Sequence, residues 1–250
     1  MTNIAFQLFS ARNTEIEKAL GIVAEAGFSS VEAYGDNFKD VELFRTALKN
    51  EGLSLASAHV SLDELENNLS TNVERLASFG CTHIVCPYLL PDNRPTSREG
   101  WTELAKRLEQ INSNLQSHDC TFAWHNHDFE FVANDDDSVP MQILLEQAPG
   151  MSLELDIGWV VRVGADPASW IKQHGARVSA FHFKDLVAAG SNPTEDDWAD
   201  VGYGVVDWRA LLDDIKSVKT NLYIVEHDNP ADLKRFAENS ISTIKAWRLS

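Results

Sequence analysis

Apolar residues along the chain alternate between two rhythms. Eight short runs rich in Val, Ile, Leu and Phe read as strands: "IAFQLF" (4–9), "SSVEAY" (29–34), "LSLASAHV" (53–60), "THIVCPY" (82–88), "TFAWHNH" (121–127), "SLELDI" (152–157), "VSAFHFKD" (178–185) and "LYIVEHD" (222–228). Between and after them, helical spacing of apolar positions predicts helices over 14–26, 38–51, 62–79, 97–118, 138–148, 167–174, 207–218 and 230–247. Asp166 before Pro167 reads as an N-cap and first helical residue, and Gly27, Gly52 and Gly80 fall where left-handed C-caps are expected. Alternating strands and helices argue a parallel sheet, and eight such units predict an α/β fold closed into one (β/α)8 TIM barrel. A doubly wound open sheet is the alternative, but no GxGxxG follows the first strand. With no linker, low-complexity tract or further repeat, residues 1–250 are expected to form a single domain. The longest irregular segment, 186–204, follows the seventh strand and is expected to be a lid or binding loop.

In such barrels the active site lies at the C-terminal ends of the strands. Chemically capable residues gather there: Gln7 on strand one, Glu32 on two, His59 on three, His125 and His127 on five, Asp156 on six, His182 and Lys184 on seven, Glu226 on eight. Residues two apart on a strand share a face, which pairs His125 with His127 and His182 with Lys184. Each residue alone has an ordinary structural reading: a hydrogen-bonded histidine, a helix cap at Asp156, an ion pair at Glu226. Together they crowd carboxylates and imidazoles at one barrel mouth. That is costly unless a cation neutralises it, so divalent metal binding is the better expectation.

Composition narrows the field. Of 250 residues, 44% are hydrophobic and 24% charged, which fits a globular protein with a sizeable core. The formal charge of −17 argues against nucleic acid and anionic membrane as partners. No apolar run is long enough for a bilayer span, the N-terminal "MTNIAFQLFSARN" has no basic leader, and a cytoplasmic location is expected. Cys81, Cys86 and Cys120 form no CxxC pair and are expected to be reduced, buried thiols.

The series "QLFSAR", "WHNHDFEF", "LDIGW", "FHFKD", "VGYGVVDW" and "IVEHD" resembles, in order and over essentially the whole chain, the sugar phosphate isomerase/epimerase family. These are xylose-isomerase-like TIM barrels whose relatives include inosose dehydratases and ketose 3-epimerases. The resemblance implies a divalent metal held by one residue from each of strands five to eight. Asp156, His182 and Glu226 match the last three positions, and His125 takes the first, where ketose epimerases carry a glutamate. Only one of the epimerases' two metal-bound glutamates is then present, which puts two-glutamate 3-epimerisation in doubt.

Two imidazoles and two carboxylates suit one Mn²⁺, Co²⁺, Zn²⁺ or Fe²⁺ ion. Such an ion can polarise the carbonyl of a keto-sugar or cyclitol, acidify the adjacent C–H and stabilise an enediolate. The expected activity is isomerisation or epimerisation, with dehydration or elimination of a keto-glycoside as the alternative. His127 is the first candidate for proton transfer. Lys184 is expected to stabilise the oxyanion or else to pair with Glu154, and Trp159 to wall a sugar ring. Gln7, Glu32 and His59 are candidates for substrate hydroxyls or for supporting the ligands, while Glu130 lies too far beyond His125 to replace the missing glutamate. No basic cluster demands a phosphate, so an unphosphorylated sugar or cyclitol is the expected partner, with self-association left open. An abasic-site endonuclease and a non-catalytic carbohydrate-binding barrel are the competing classes.

Overall fold

The computed structural model describes residues 2–249. Eight barrel strands form: β1 (Asn3–Gln7), β2 (Ser30–Ala33), β3 (Ser54–His59), β4 (His83–Cys86), β5 (Thr121–His125), β6 (Ser152–Asp156), β7 (Val178–Phe183) and β8 (Leu222–Val225). Neighbours pair in parallel all the way round, and β1 pairs with both β2 and β8, which closes the barrel. The fold is the xylose-isomerase-like (β/α)8 barrel expected from the hydrophobic pattern.

Each strand stops one to three residues before its apolar run does. The reason is visible where polar side chains take over from the ladder. The Gln7 side-chain oxygen Oε1 accepts from Phe9 N–H and starts a 3-10 turn, and Asp156 caps a helix at Ile157–Arg162 that the sequence pattern does not reveal. That helix runs close behind β7. A Cβ on Gly158 would stand 2.6 Å from the Lys184 carbonyl oxygen, so "LDIGW" needs its glycine for approach.

Seven of the expected helices form within a few residues of their predicted limits: Ile16–Ala26, Val41–Glu51, Arg98–Gln116, Pro140–Gln147, Pro167–His174, Trp208–Ser217 and Leu233–Ala246. Gly27 and Gly52 cap the first two in the left-handed region, at φ 99° and 66°. The segment expected as one helix over 62–79 is two, Leu62–Asn67 and Leu69–Ala77, broken where Asn68 leaves helical geometry and turns its amide onto Glu64.

Outward-facing strand residues such as Phe6, Val31, Trp124, Leu155 and Phe181 pack beneath the helices in the main core. Inside the barrel, Ala5, Ala180, Leu222 and Ile224 make a small apolar plug. Gln7, His182 and Glu226 lie two residues further along the same strands, so a polar layer follows the plug towards the C-terminal mouth.

Two register shifts align that layer. One between Leu153 and Glu154 sets Asp156 level with His182, and another between Val31 and Glu32 sets Glu32 level with Ser57. Without a shift, Asp156 would face Phe181.

Segment 186–204 is ordered rather than a free flap. Asp185–Leu186 pairs antiparallel with Trp198–Ala199. The buried Asp185 carboxylate accepts from Leu186, Gly202, Gly204 and Val206 N–H and from Trp208 Nε1, at 2.8–3.2 Å.

Candidate active site

A cavity of about 1010 Å³ opens at the C-terminal mouth of the barrel, with His59, His125, His127, Trp159, Glu226 and Asp228 among its walls. Asp156, His182 and Lys184 are buried behind that surface. One donor atom from each of His125, Asp156, His182 and Glu226 lies within 4.8 Å of the other three. His182 Nδ1 is 3.1 Å from Glu226 Oε2, and His125 Nε2 is 4.0 Å from Asp156 Oδ2.

The strand ends hold these groups by local chemistry. Asn126, the central residue of "HNH", donates its side-chain amide to the Asp156 carbonyl (3.2 Å) and accepts from Asp156 N–H (3.0 Å), locking the end of β5 to that of β6. One Asp156 oxygen caps the following helix by accepting from Trp159 N–H at 2.8 Å. The other, Oδ2, is buried with no hydrogen-bond partner among the described residues. An unpartnered buried carboxylate oxygen is expensive, and burial lifts the Asp156 carboxyl to about 7. Burial, and then the charge of His182, pushes His125 down to about 4, which keeps that imidazole a neutral donor. Glu226 behaves oppositely: burial opposes its ionisation, but Lys184 and His182 hold it well below the usual carboxylate range. Two imidazoles and two carboxylates, one with an unsatisfied oxygen, fit a divalent cation.

Beneath this group lies a second polar layer. The Glu154 Oε2 atom faces His125 Nδ1 (3.2 Å), His59 Nε2 (2.9 Å) and His182 Nε2 (3.1 Å). Lys184, for which Glu154 was a possible partner in the sequence, instead pairs with Asp228 and lies 3.5 Å from Glu226. The difference arises because β7 ends at Phe183, which takes Lys184 beyond the strand and towards the Asp228 loop. Its ammonium stands over Trp198 and Trp159, 4.3 and 4.8 Å from the ring centres. Burial opposes its charge, but Asp228 and Glu226 raise its pKa above the ordinary lysine value.

Gln7 and Glu32, candidates for substrate hydroxyls or for supporting the ligands, are fully buried and outside the cavity lining. The Gln7 amide donates to Glu32 Oε1 at 2.7 Å and lies 3.4 Å from His59 Nδ1, while Ser57 donates to the other Glu32 oxygen. Both side chains support the layer below the mouth. His59 and Trp159 do reach the cavity.

His127 lies two residues past the end of β5 but still faces the cavity, its ring centre 4.9 Å from that of His125. Burial, then His125 and Lys184, keeps its pKa well below the usual histidine value, and its buried Nδ1 has no partner among the described residues. Glu130 sets this loop. Its carboxylate accepts from Trp124 Nε1 (3.0 Å) and His127 N–H (2.9 Å), and burial pushes its pKa to about 8.

Segment 186–204 contributes no cavity wall, and its Trp198 braces Lys184 from behind. Among the arginines, Arg94 and Arg75 line the cavity, whereas Arg98 pairs with Asp136 on the surface. Asn126, Asp185, Trp198 and Asp228 are the residues that sequence reasoning left without a role. Strand parity with Glu226 was a usable signal for Asp228; the other three act through contacts that no spacing announces.

A closed parallel barrel with imidazoles and carboxylates converging at its C-terminal mouth defines the class of xylose-isomerase-like barrels. The family model for the xylose isomerase-like TIM barrel matches residues 20–247, and the chain belongs to that family. A sugar phosphate isomerase/epimerase from Parabacteroides distasonis superposes with a TM-score of 0.81 at 16% identity, covering 99% of this chain and 95% of that one. A probable 3-DHS dehydratase involved in petrobactin synthesis from Bacillus anthracis gives 0.76 at 14% identity, over 98% and 99% of the two chains. An IolI protein with a bound zinc atom gives 0.75 at 15% identity, over 99% and 98%. At these identities the likeness is one of fold. The chain has no significant sequence match among curated proteins.

Proposed function

We propose that the protein is a divalent-metal-dependent isomerase or epimerase of a keto-sugar or related polyol, working through an enediolate, with His125, Asp156, His182 and Glu226 as the metal ligands. The observation that carries this reading is the convergence of four donor atoms within 4.8 Å, one of them the unpartnered buried Oδ2 of Asp156. A bound cation supplies positive charge that polarises the substrate carbonyl and lowers the cost of the enediolate. The remaining chemistry falls to the chain's own side chains. His127, held neutral and lining the cavity, accepts the proton from the carbon beside the carbonyl and returns it. Lys184 keeps its charge between Asp228 and Glu226 and offsets negative charge developing on substrate oxygen. Trp159 forms one wall for the sugar ring.

A second reading, elimination from a keto-glycoside or dehydration of a cyclitol, is favoured by two observations. With histidine at the strand-five position, Glu226 is the only glutamate in the ligand set, and Glu130 is occupied by Trp124 and His127 N–H. The cavity also lies at the upper end of ordinary ligand pockets, with room for a second ring.

The test is metal content of the purified protein, wild type beside Asp156→Ala, followed by deuterium exchange from water into keto-sugars. One catalytic metal lost in the variant, with exchange only in the wild type, is expected. A variant that keeps both metal and exchange sinks the assignment. Exchange accompanied by release of water or an alcohol selects the lyase reading.

A further inference from the structure

Below the mouth, four atoms form a closed cage that the reaction above does not employ. His59 Nε2 lies 3.0 Å from Glu32 Oε1 and 2.9 Å from Glu154 Oε2. His182 Nε2 lies 2.7 Å from the same Glu32 oxygen and 3.1 Å from the same Glu154 oxygen. The two imidazole rings stack at 5.6 Å with 17° between their planes. All four residues are buried.

Hydrogen bonding serves this arrangement poorly. Each Nε2 carries at most one hydrogen, yet each faces two carboxylate oxygens, so at most two of the four contacts can be strong hydrogen bonds. The remaining Glu154 oxygen, Oε1, is buried with no partner among the described residues. We propose that these four atoms are a second, tetrahedral cation site that takes Zn²⁺.

Ligands around tetrahedral zinc at about 2.0–2.2 Å stand roughly 3.3–3.6 Å apart, so the four contacts must open by roughly 0.2–0.9 Å. Once both imidazoles give up the protons that Glu32 and Glu154 favour on them, the two carboxylates balance the charge of a divalent ion, and His₂Glu₂ is a donor set that zinc accepts. Support around the ligands is already in place: Gln7 and Ser57 donate to the two Glu32 oxygens, which fixes the direction of that carboxylate. Gln7 Nε2, at 3.4 Å from His59 Nδ1, is too distant to fix the tautomer of that ring. His59 lines the mouth cavity, which gives an ion a path to the cage.

His182 belongs to both sites, turning Nε2 to the cage and Nδ1 to Glu226. With both sites filled, its ring would bridge the two ions as an imidazolate, both N–H protons of the charged ring having passed to solvent. The cage therefore shares a ligand with the site proposed above, and the experiment separates the two.

Chelator-stripped wild-type protein is titrated with Zn²⁺ alone, and bound metal is counted by mass spectrometry, beside Glu32→Gln, His59→Asn and Glu226→Gln. Two zinc ions per chain in the wild type are expected, with one left in each variant. Replacement by Co²⁺ adds a readout of geometry: intense visible bands of tetrahedral cobalt in Glu226→Gln, and their loss in Glu32→Gln. A single wild-type zinc that Glu226→Gln loses and Glu32→Gln keeps overturns the cage and leaves the mouth site standing. The reverse dependence keeps the cage and removes the mouth site. No zinc in the wild type removes both, and that measurement needs no variant to fold.

Discussion

His127 and Glu130 show how much one short string decides. Nδ1 of His127 is buried and unpartnered among the described residues, while the backbone N–H of the same residue is held by Glu130. If His127 moves the proton, His127→Asn lowers turnover by roughly 10²–10⁴-fold with metal content unchanged. Loss of metal in that variant would instead make His127 a ligand. Glu130 is a different kind of residue, since both of its oxygens accept from fixed donors. In Glu130→Gln the amide nitrogen must face either Trp124 Nε1 or His127 N–H, a donor against a donor. The expected cost is about 1–3 kcal/mol, read as a lower urea midpoint at unchanged slope. A neutral result would mean that the loop is held elsewhere.

At the scale of elements, the segment after β7 matters as a brace. Its 3-10 turn, Pro193–Glu195, is tied to the last helix through Glu195, which accepts from Arg235 and Ala231 N–H at 2.6 Å each and from Asn192 at 2.7 Å. Burial opposes ionisation there, but the Arg235 and backbone hydrogen bonds lower the Glu195 pKa from 4.5 to about 2. A depressed carboxylate pKa stabilises the fold above its unfolded value, and that contribution is lost as pH falls through the folded value. Acid unfolding should therefore include a component between pH 4.5 and about 2 that Glu195→Gln removes. An unchanged acid limb in the variant would show that this ion pair carries no pH-dependent stability. The same segment holds Trp198 behind Lys184, so weakening it should also disturb the cavity.

For the whole molecule, the mouth site concentrates cost in one place. Buried carboxylates and imidazoles crowd together there, and an ion that binds only the folded state stabilises it by mass action. At 100 times its dissociation constant the gain is about 2.7 kcal/mol, or roughly 5–10 °C in Tm for a chain of this size. Stripping with a chelator should lower Tm by that amount, and Mn²⁺, Co²⁺ or Zn²⁺ should restore it. A Tm indifferent to both chelator and metal would leave the cluster as a hydrogen-bonded network. No described helix is long and apolar enough to cross a membrane.

By itself the sequence determined the eight strand–helix units, because hydrophobic periodicity reports which face of an element is buried. It also brought His125, Asp156, His182 and Glu226 to the C-terminal ends of four strands, since chain order and parity are enough for that. Tertiary structure decided how those ends meet. The shift at Leu153/Glu154 puts Asp156 level with His182, the early end of β7 sends Lys184 to Asp228 rather than Glu154, and Gln7 and Glu32 sink below the cavity. Register, strand length and depth are set by side-chain contacts between residues 25 to 150 positions apart, such as Gln7 with Glu32 and Glu32 with His182. Local pattern carries no record of such contacts, because each is the outcome of closing the whole barrel.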